Sequence, residues 1–339
     1  MKTYCGIDLH SNNNVVVVID ENDHILLEQT LSNHLGVILD TLSKIRESID
    51  GIAVESTYNW YWLVDGLQEA GYKLHLVNTA AIKQYEGLKY SDDKRDAFHL
   101  AHLLRLGILP TGYIYPKEER AIRDLLRKRL QLVQQRTAQI LSIQNQITRN
   151  TGRQLKANEV KKLTTSTVKD RIKNKNIQQA ILSNVTVMNV LTSKIESLEK
   201  QVLEQVEVKE AFKKLLQITG IGPIIALTIM LETGDINRFN KVGNYSSYCR
   251  CVNSKRFSNG KQKGQGNRKN GNKYLAWAYM EAANYAIRFN EKARQFYQRK
   301  IAKTKRVVAL KALAHKLARA CYYVLKNNED FDNQRLFPG

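Results

Sequence analysis

From Lys117 to Gln217 the chain contains no proline and a single glycine, Gly152. No other feature limits the fold as tightly, because proline and glycine are the residues that end or break helices. Inside this stretch, I-R-D-L-L-R-K-R-L-Q-L-V and V-L-T-S-K-I-E-S-L-E-K-Q-V-L-E-Q-V place apolar residues at helical spacing with charges between them. The spacing predicts long helices packed as an antiparallel pair or coiled coil, either a spacer or a dimerisation arm. Between them, residues 153–180 are polar and rich in Lys and Asn (K-D-R-I-K-N-K-N) and read as a mobile or nucleic-acid-binding connection.

The arm separates two regions of opposite charge. Residues 1–100 hold 8 Lys and Arg against 15 Asp and Glu, a net of −7, while residues 101–339 hold 45 against 17, a net of +28. A solubility surface needs only a modest charge of either sign. A surplus of +28 in one region points to a polyanionic partner, and nucleic acid is the expectation. Cys5, Cys249, Cys251 and Cys321 form neither a disulfide framework nor a zinc spacing. No apolar run reaches the roughly 18 residues that cross a bilayer, and M-K-T-Y-C-G-I-D enters a strand-like segment directly. We therefore expect no membrane association and a cytoplasmic protein.

The acidic region alternates strand-like and helix-like segments. Residues 3–9, 14–20 and 24–31 read as three consecutive strands. A helix follows at 34–48, a strand at 51–56, a helix at 59–70, a strand at 73–78 and a further helix from Asp93. Three strands followed by alternating helix and strand is the order of an α/β RNase H-like domain, assigned to residues 1–112. The helical connector is assigned to 113–210 and a mostly α region to 211–339.

Four carboxylates stand at informative places in that order. Asp8 falls near the end of the first strand in G-I-D-L-H, and Glu55 ends the fourth in A-V-E-S-T. Asp93 and Asp96 are three apart, on one face of the helix that begins there, with Asp92 as an alternative to Asp93. Taken singly, Asp93 is an ordinary helix cap and Asp8 a strand-end turn residue. As a set in an RNase H-like sheet they converge, and carboxylates so close repel unless cations lie between them. Hard oxygen ligands suit Mg²⁺ or Mn²⁺, which can stabilise the attacking and leaving oxygens of a phosphodiester.

The basic region contains two candidate phosphate contacts. From Arg250 to Tyr274 there are eight Lys and Arg and no acid, with Gly260, Gly264, Gly266 and Gly271 interspersed. The candidates there are Lys255, Arg256, Lys261, Lys263, Arg268, Lys269 and Lys273, because cations bind phosphate irrespective of sequence and glycines admit close backbone approach. Upstream, L-Q-I-T-G-I-G-P-I-I-A-L resembles a helix–hairpin–helix turn, in which Gly220 and Gly222 would present backbone N–H groups to a phosphate.

The combination of G-I-D, V-E-S-T, D-K-R-D-A, G-I-G-P, G-D-I and S-N-G-K…K-N-G-N-K-Y-L resembles the DEDD transposases of bacterial insertion sequences. These are the RNA-guided bridge recombinases of insertion-sequence family one-ten, with its eleven-eleven subgroup. The resemblance implies a RuvC-like first domain whose Asp, Glu, Asp, Asp fall on Asp8, Glu55, Asp93 and Asp96. It implies a C-terminal transposase domain whose nucleophilic serine aligns with Ser258, or with Ser254 because Gly260 stands one place late. It further implies DNA donors and targets, a structured non-coding guide RNA, and a homo-oligomer, dimer or tetramer, in which the two sites meet. Strand exchange through a serine–DNA covalent intermediate is the expected activity. The alternative is a hydrolytic nuclease of Holliday-junction-resolvase type that uses the same carboxylates with water.

Overall fold

The computed structural model describes residues 1–82, 92–205, 209–254, 256–264 and 270–337, with the backbone alone at Arg256 and Phe257. The chain divides into two compact units, Met1–Lys117 and Glu118–Gly339.

The first unit is a five-stranded mixed sheet in the order β3-β2-β1-β4-β5. The strands are β1 (Thr3–Leu9), β2 (Asn13–Ile19), β3 (Ile25–Ser32), β4 (Ile49–Glu55) and β5 (Leu74–Val77). β1 and β2 pair antiparallel, as do β2 and β3, whereas β1–β4 and β4–β5 are parallel. This arrangement is consistent with an RNase H-like sheet. Helices α1 (Leu35–Ser43) and α2 (Tyr61–Glu69) follow β3 and β4, and α3 (Asp93–Arg105) follows β5. Side chains alternate across a sheet, so β1 and β2 must be apolar on both faces if both are covered. The run V-V-V-V-I satisfies this. Val16 and Val18 join Cys5, Ile7, Ile38 and Leu63 on one face, and Val15, Val17 and Ile19 join Ala97 and Ala101 of α3 on the other. Each such side chain, fully buried, contributes roughly 1.5–3 kcal/mol.

Gly6 fixes how closely α3 lies on β1. A Cβ at Gly6 would stand 2.0 Å from the carbonyl oxygen of Ala97 and 2.8 Å from the amide of Ala101. The glycine of G-I-D and the small residues of α3 are therefore one packing device, and it sets the start of α3 beside the end of β1.

Among its described residues the second unit is helical apart from one hairpin. The long α4 (Lys117–Thr151) and α7 (Lys175–Glu204) are antiparallel: Arg129 bonds Glu199, Arg136 bonds Thr192 and Ser142 bonds Asn184. The expected open connection between them is instead folded. Short helices α5 (Ala157–Val160) and α6 (Thr165–Arg171) bury Leu155, Val160, Leu163, Val168 and Ile172 against Ile143, Ile147 and Ile181. Those five apolar residues, spread through a polar tract, make no short-range pattern but suffice to close the end of the pair.

A second core gathers α8 (Glu210–Leu216), α9 (Pro223–Thr233), α10 (Val242–Tyr248), α11 (Lys273–Phe289), α12 (Glu291–Ile301), α13 (Arg306–Asn327) and α14 (Asn333–Leu336). Strands β6 (Arg256–Ser258) and β7 (Lys261–Gly264) form a separate antiparallel ribbon. All four cysteines are free and buried. Among the described residues no helix is long and apolar enough to cross a membrane.

Candidate active site

Register brings the first two carboxylates together. Ile7 of β1 sits opposite Val54 of β4 in a parallel pair, so Asp8 and Glu55, one residue on, lie side by side at the carboxyl ends of the strands. Asp8 is only 4% exposed, and Glu55 is half-buried. α3 adds Asp96 to the same place. Asp8, Glu55 and Asp96, with Thr79, Ile82, His99 and Leu100, line a cleft of about 320 Å³.

Asp92 is occupied as the N-cap of α3, its carboxylate accepting from the amide of Arg95 at 2.9 Å. It therefore starts the helix, while Asp93 and Asp96 occupy its first turn. Asp93 faces a different neighbour. Its Oδ2 lies 3.2 Å from His10 Nε2, which is itself 3.3 Å from Asp8 Oδ2. Asp8 thus belongs to two groupings, one with Glu55 and Asp96 and one with His10 and Asp93. His10 escaped the sequence reading, yet a signal was present: it stands two residues after Asp8, the spacing that keeps strand residues on one face. Lys94, between the two aspartates of α3, is paired with Glu28 of β3.

The electrostatics of the cleft favour a cation. Burial, a hydrogen bond to Asp8 and the nearby charges of Asp8 and Asp96 together push the Glu55 carboxyl up to about 8. Such a carboxylate holds its proton because a charge there would be partly desolvated and close to two like charges. The His10 Nε2 atom is buried without a hydrogen-bond partner although two carboxylate oxygens lie near it. An orphaned nitrogen and mutually repelling hard oxygen donors are what a divalent-ion site looks like without its ion, so these residues fit a divalent metal.

Ser258 is placed very differently. It ends β6, paired with Lys261 of β7, and Asn259 (φ 48°) and Gly260 (φ 70°) both occupy the left-handed region between them. Positive φ at both central residues is the signature of a two-residue type I′ hairpin turn, for which Asn-Gly is the preferred sequence. The stretch S-N-G-K is thus a hairpin signal. Reading it only as a glycine-bearing loop missed that. The geometry accounts for the displaced glycine, because the second turn position is where it is needed. Ser258, Lys261 and Lys263 are all exposed, and the register sets Lys261 directly opposite the serine, while Lys263 falls where the register shifts. Lys255, Arg268 and Lys269 lie outside the described residues, and of Arg256 only the backbone is described. Ser254 is partly buried beside the ribbon.

The ribbon's base is clamped to the core. Gly271 (φ 90°) passes so close to α10 that a Cβ would meet the Tyr248 carbonyl at 2.5 Å. Arg250 donates twice to the Gly271 carbonyl, at 3.0 and 2.8 Å, and the Asn272 amide donates to Tyr248 at 2.6 Å. The Asn272 side chain caps α11 and donates at 2.7 Å to Glu232. Glu232 is 1% exposed, and Arg127 of α4 holds it with two bonds, at 2.5 and 2.7 Å. Burial works against the Arg127 charge, but the hydrogen bond and the negative charge of Glu232 outweigh it and hold the guanidinium above its ordinary value. This buried pair also escaped the sequence reading; its trace was one glutamate in the otherwise apolar P-I-I-A-L-T-I-M-L-E-T.

Gly220 and Gly222 lie in the turn between α8 and α9. A Cβ at Gly220 (φ 99°) would stand 2.4 Å from the Ala282 carbonyl, so close packing against α11 accounts for that glycine. Gly222 caps α9 ahead of Pro223 and borders open space. Lys273 is exposed at the start of α11.

Two family models match the chain in the order of its two units. A DEDD transposase model covers residues 5–150, and a model described as transposase IS116/IS110/IS902 family covers residues 212–298. A protein named probable family 20 transposase, from Pseudomonas aeruginosa, is 22% identical over 290 residues, which span 84% of this chain and 83% of that protein. The class these matches define, with the carboxylate cluster, is the DNA transposase, an enzyme that cuts and joins DNA strands. Within that class the chain belongs to the IS110 family of insertion-sequence transposases. A DEDD carboxylate set implies divalent metal, in agreement with the donors found here.

Proposed function

We propose that this transposase exchanges DNA strands through a serine–DNA covalent intermediate, guided by a structured non-coding RNA. The observation that carries the reading is the convergence of Asp8, Glu55 and Asp96 at the ends of β1, β4 and the first turn of α3, in a RuvC-like arrangement. With Asp93 they are the residues to hold Mg²⁺ or Mn²⁺. Such an ion would supply Lewis-acid stabilisation of charge building on the phosphate oxygens.

The remaining chemistry belongs to the chain. Ser258 Oγ attacks the phosphorus of a DNA phosphodiester; an O–P bond forms, the bond to the 3′ oxygen breaks, and the serine proton leaves with the departing 3′-hydroxyl. A free 3′-hydroxyl later attacks the phosphoserine and releases the serine. Lys261, opposite the serine in the ribbon, and Lys263 hold the phosphate, and Lys255, Arg256, Arg268, Lys269 and Lys273 extend the basic track. The Gly222 end of the Gly220–Gly222 turn offers a further backbone seat for phosphate. In this scheme residues 1–112 supply the carboxylates, 113–210 the arm and 211–339 the nucleophile. A homo-oligomer, dimer or tetramer, would let one protomer's carboxylates serve its partner's serine. The +28 surplus beyond residue 100 suits an RNA as well as DNA, and the protein would act on the nucleoid in the cytoplasm.

The test is a protein–DNA adduct that survives denaturation. The expected result is an adduct with the wild-type chain and none with Ser258→Ala. Cleavage by Ser258→Ala at the wild-type rate, with no adduct from either protein, would establish hydrolysis by water instead. A discrete RNA co-purifying with the chain checks the guide; its absence removes that element and leaves the serine chemistry standing.

A further inference from the structure

His10 stands at a built position. Its amide donates to the Asn13 carbonyl at 2.9 Å, and its own carbonyl accepts from Asn33 Nδ2 and Asn59 Nδ2, each at 3.0 Å. Those partners come from the β1–β2 turn, the end of β3 and the segment after β4. Three backbone bonds from three segments set where the imidazole emerges, on the Asp8 side of the strand end.

The ring nitrogen that reaches the site is in an unusual state for a buried polar atom. His10 Nε2 is almost equidistant from Asp8 Oδ2, at 3.3 Å, and Asp93 Oδ2, at 3.2 Å. It is buried, yet it makes a well-directed hydrogen bond to neither oxygen. A bare nitrogen between two carboxylates is repulsive unless a cation lies among them. The three donor atoms lie within 4.8 Å of one another, close enough for one ion to reach all of them.

We propose that His10 Nε2 is a ligand of the divalent ion, together with Asp8 and Asp93, and that this nitrogen makes the site prefer Mn²⁺ to Mg²⁺. The proposal rests on the reading of Asp8 as a metal-binding carboxylate. Its chemical basis is that Mg²⁺ takes oxygen donors and water and gains little from nitrogen, whereas imidazole suits transition ions. Asp8 is the carboxylate that the His10 and Asp93 grouping shares with Glu55 and Asp96.

The test uses the full-length chain loaded with Mn²⁺ and read by pulsed electron paramagnetic resonance, which detects nitrogen bound to the ion. Wild type should show imidazole ¹⁴N modulation. His99→Gln should keep it, which excludes the other histidine of the cleft. His10→Gln should lose it. Removing residues that merely support a metal ligand typically weakens binding about 10–100-fold, so His10→Gln should raise the Mn²⁺ Kd at least about tenfold and the Mg²⁺ Kd by less. Mn²⁺ binding that Asp8→Asn abolishes, without nitrogen modulation in wild type or with modulation surviving in His10→Gln, overturns the role of His10 and leaves the carboxylate site intact. Mn²⁺ binding indifferent to Asp8→Asn overturns the metal site itself. A misfolded His10→Gln protein does not protect the proposal, because absence of nitrogen modulation in the wild-type spectrum already overturns it.

Discussion

The carboxylate cleft and the hairpin that carries Ser258, which the proposed function brings together, are held in two different ways. The cleft is part of a core: Asp8 is buried, its strand is covered on both faces, and a glycine contact without room for a methyl sets the helix that brings Asp96. The hairpin is a two-strand ribbon with Ser258 exposed, and only its base is clamped, through Gly271, Asn272 and the Arg127–Glu232 pair. A metal site gains from rigidity, because repelling carboxylates must be held against their own charge before an ion arrives. A nucleophile that must approach a long polyanion gains from standing clear of the surface. A two-strand ribbon has little stability of its own, which makes the clamp at its base the part that matters.

The comparison can be broken at several places. The largest effect is expected from Asp8→Asn. A metal ion contributes several kcal/mol of transition-state stabilisation, so strand cleavage should fall about a thousandfold or more, measured on labelled DNA, with the fold unchanged by circular dichroism. Next is Arg127→Ala, which takes from the buried Glu232 both of its guanidinium bonds. Breaking a buried pair typically costs about 3–5 kcal/mol, read by denaturant unfolding, and Arg127→Ala combined with Glu232→Gln should recover part of it. Equal losses in the single and double variants would show that the pair is not what holds this region. Gly6→Ala should follow, with a loss of about 1–3 kcal/mol from overpacking and a cleft opened by the shift of α3.

A subtler effect concerns pH. Glu55 has its carboxyl raised from 4.5 to about 8, so the folded protein holds that proton more tightly than the unfolded chain. Its contribution is present below pH 4.5 and is lost as pH rises through about 8. In chelator, the Tm of wild type should therefore decline over that interval more steeply than that of Glu55→Gln, and divalent ion should remove the difference. The smallest effect on stability is expected from Gly260→Ala at the hairpin turn. The change strains an exposed ribbon, so global stability should move by no more than about 0.5 kcal/mol. Cleavage should nonetheless drop with Ser258 misplaced. A large Tm loss there would mean the ribbon is part of the core after all, and the contrast would fail.

Much of this could be read from the chain before folding. Strand and helix order followed from periodicity, and Asp8, Glu55, Asp93 and Asp96 were found because they punctuate those elements at strand ends and a helix start. The N-G turn was equally legible in S-N-G-K, although its meaning as a hairpin emerged only from the positive φ values at Asn259 and Gly260. His10 and Glu232 were not legible. The orientation of His10 depends on Asn33 and Asn59, distant in sequence. Glu232 looks like an error in an apolar helix until Arg127, 105 residues upstream, arrives beside it. The folded cap over 153–172 was missed for the same reason: Leu155, Val160 and Leu163 acquire their meaning from isoleucines of α4 and α7.

By itself, then, the sequence determined what depends on neighbours along the chain: the helical arm, the alternating acidic domain, the basic track and the identity of the carboxylates. Local dihedral preference and side-chain period act over a few residues, and they leave their mark directly in composition. Only the tertiary structure decided the grouping of those carboxylates around Asp8, the inclusion of His10, the capping role of Asp92 and the anchoring of the serine ribbon to a buried ion pair. Those outcomes depend on distances of a few ångströms between segments far apart in sequence. Such distances are set by packing, of which the contact between Gly6 and α3 is the clearest case.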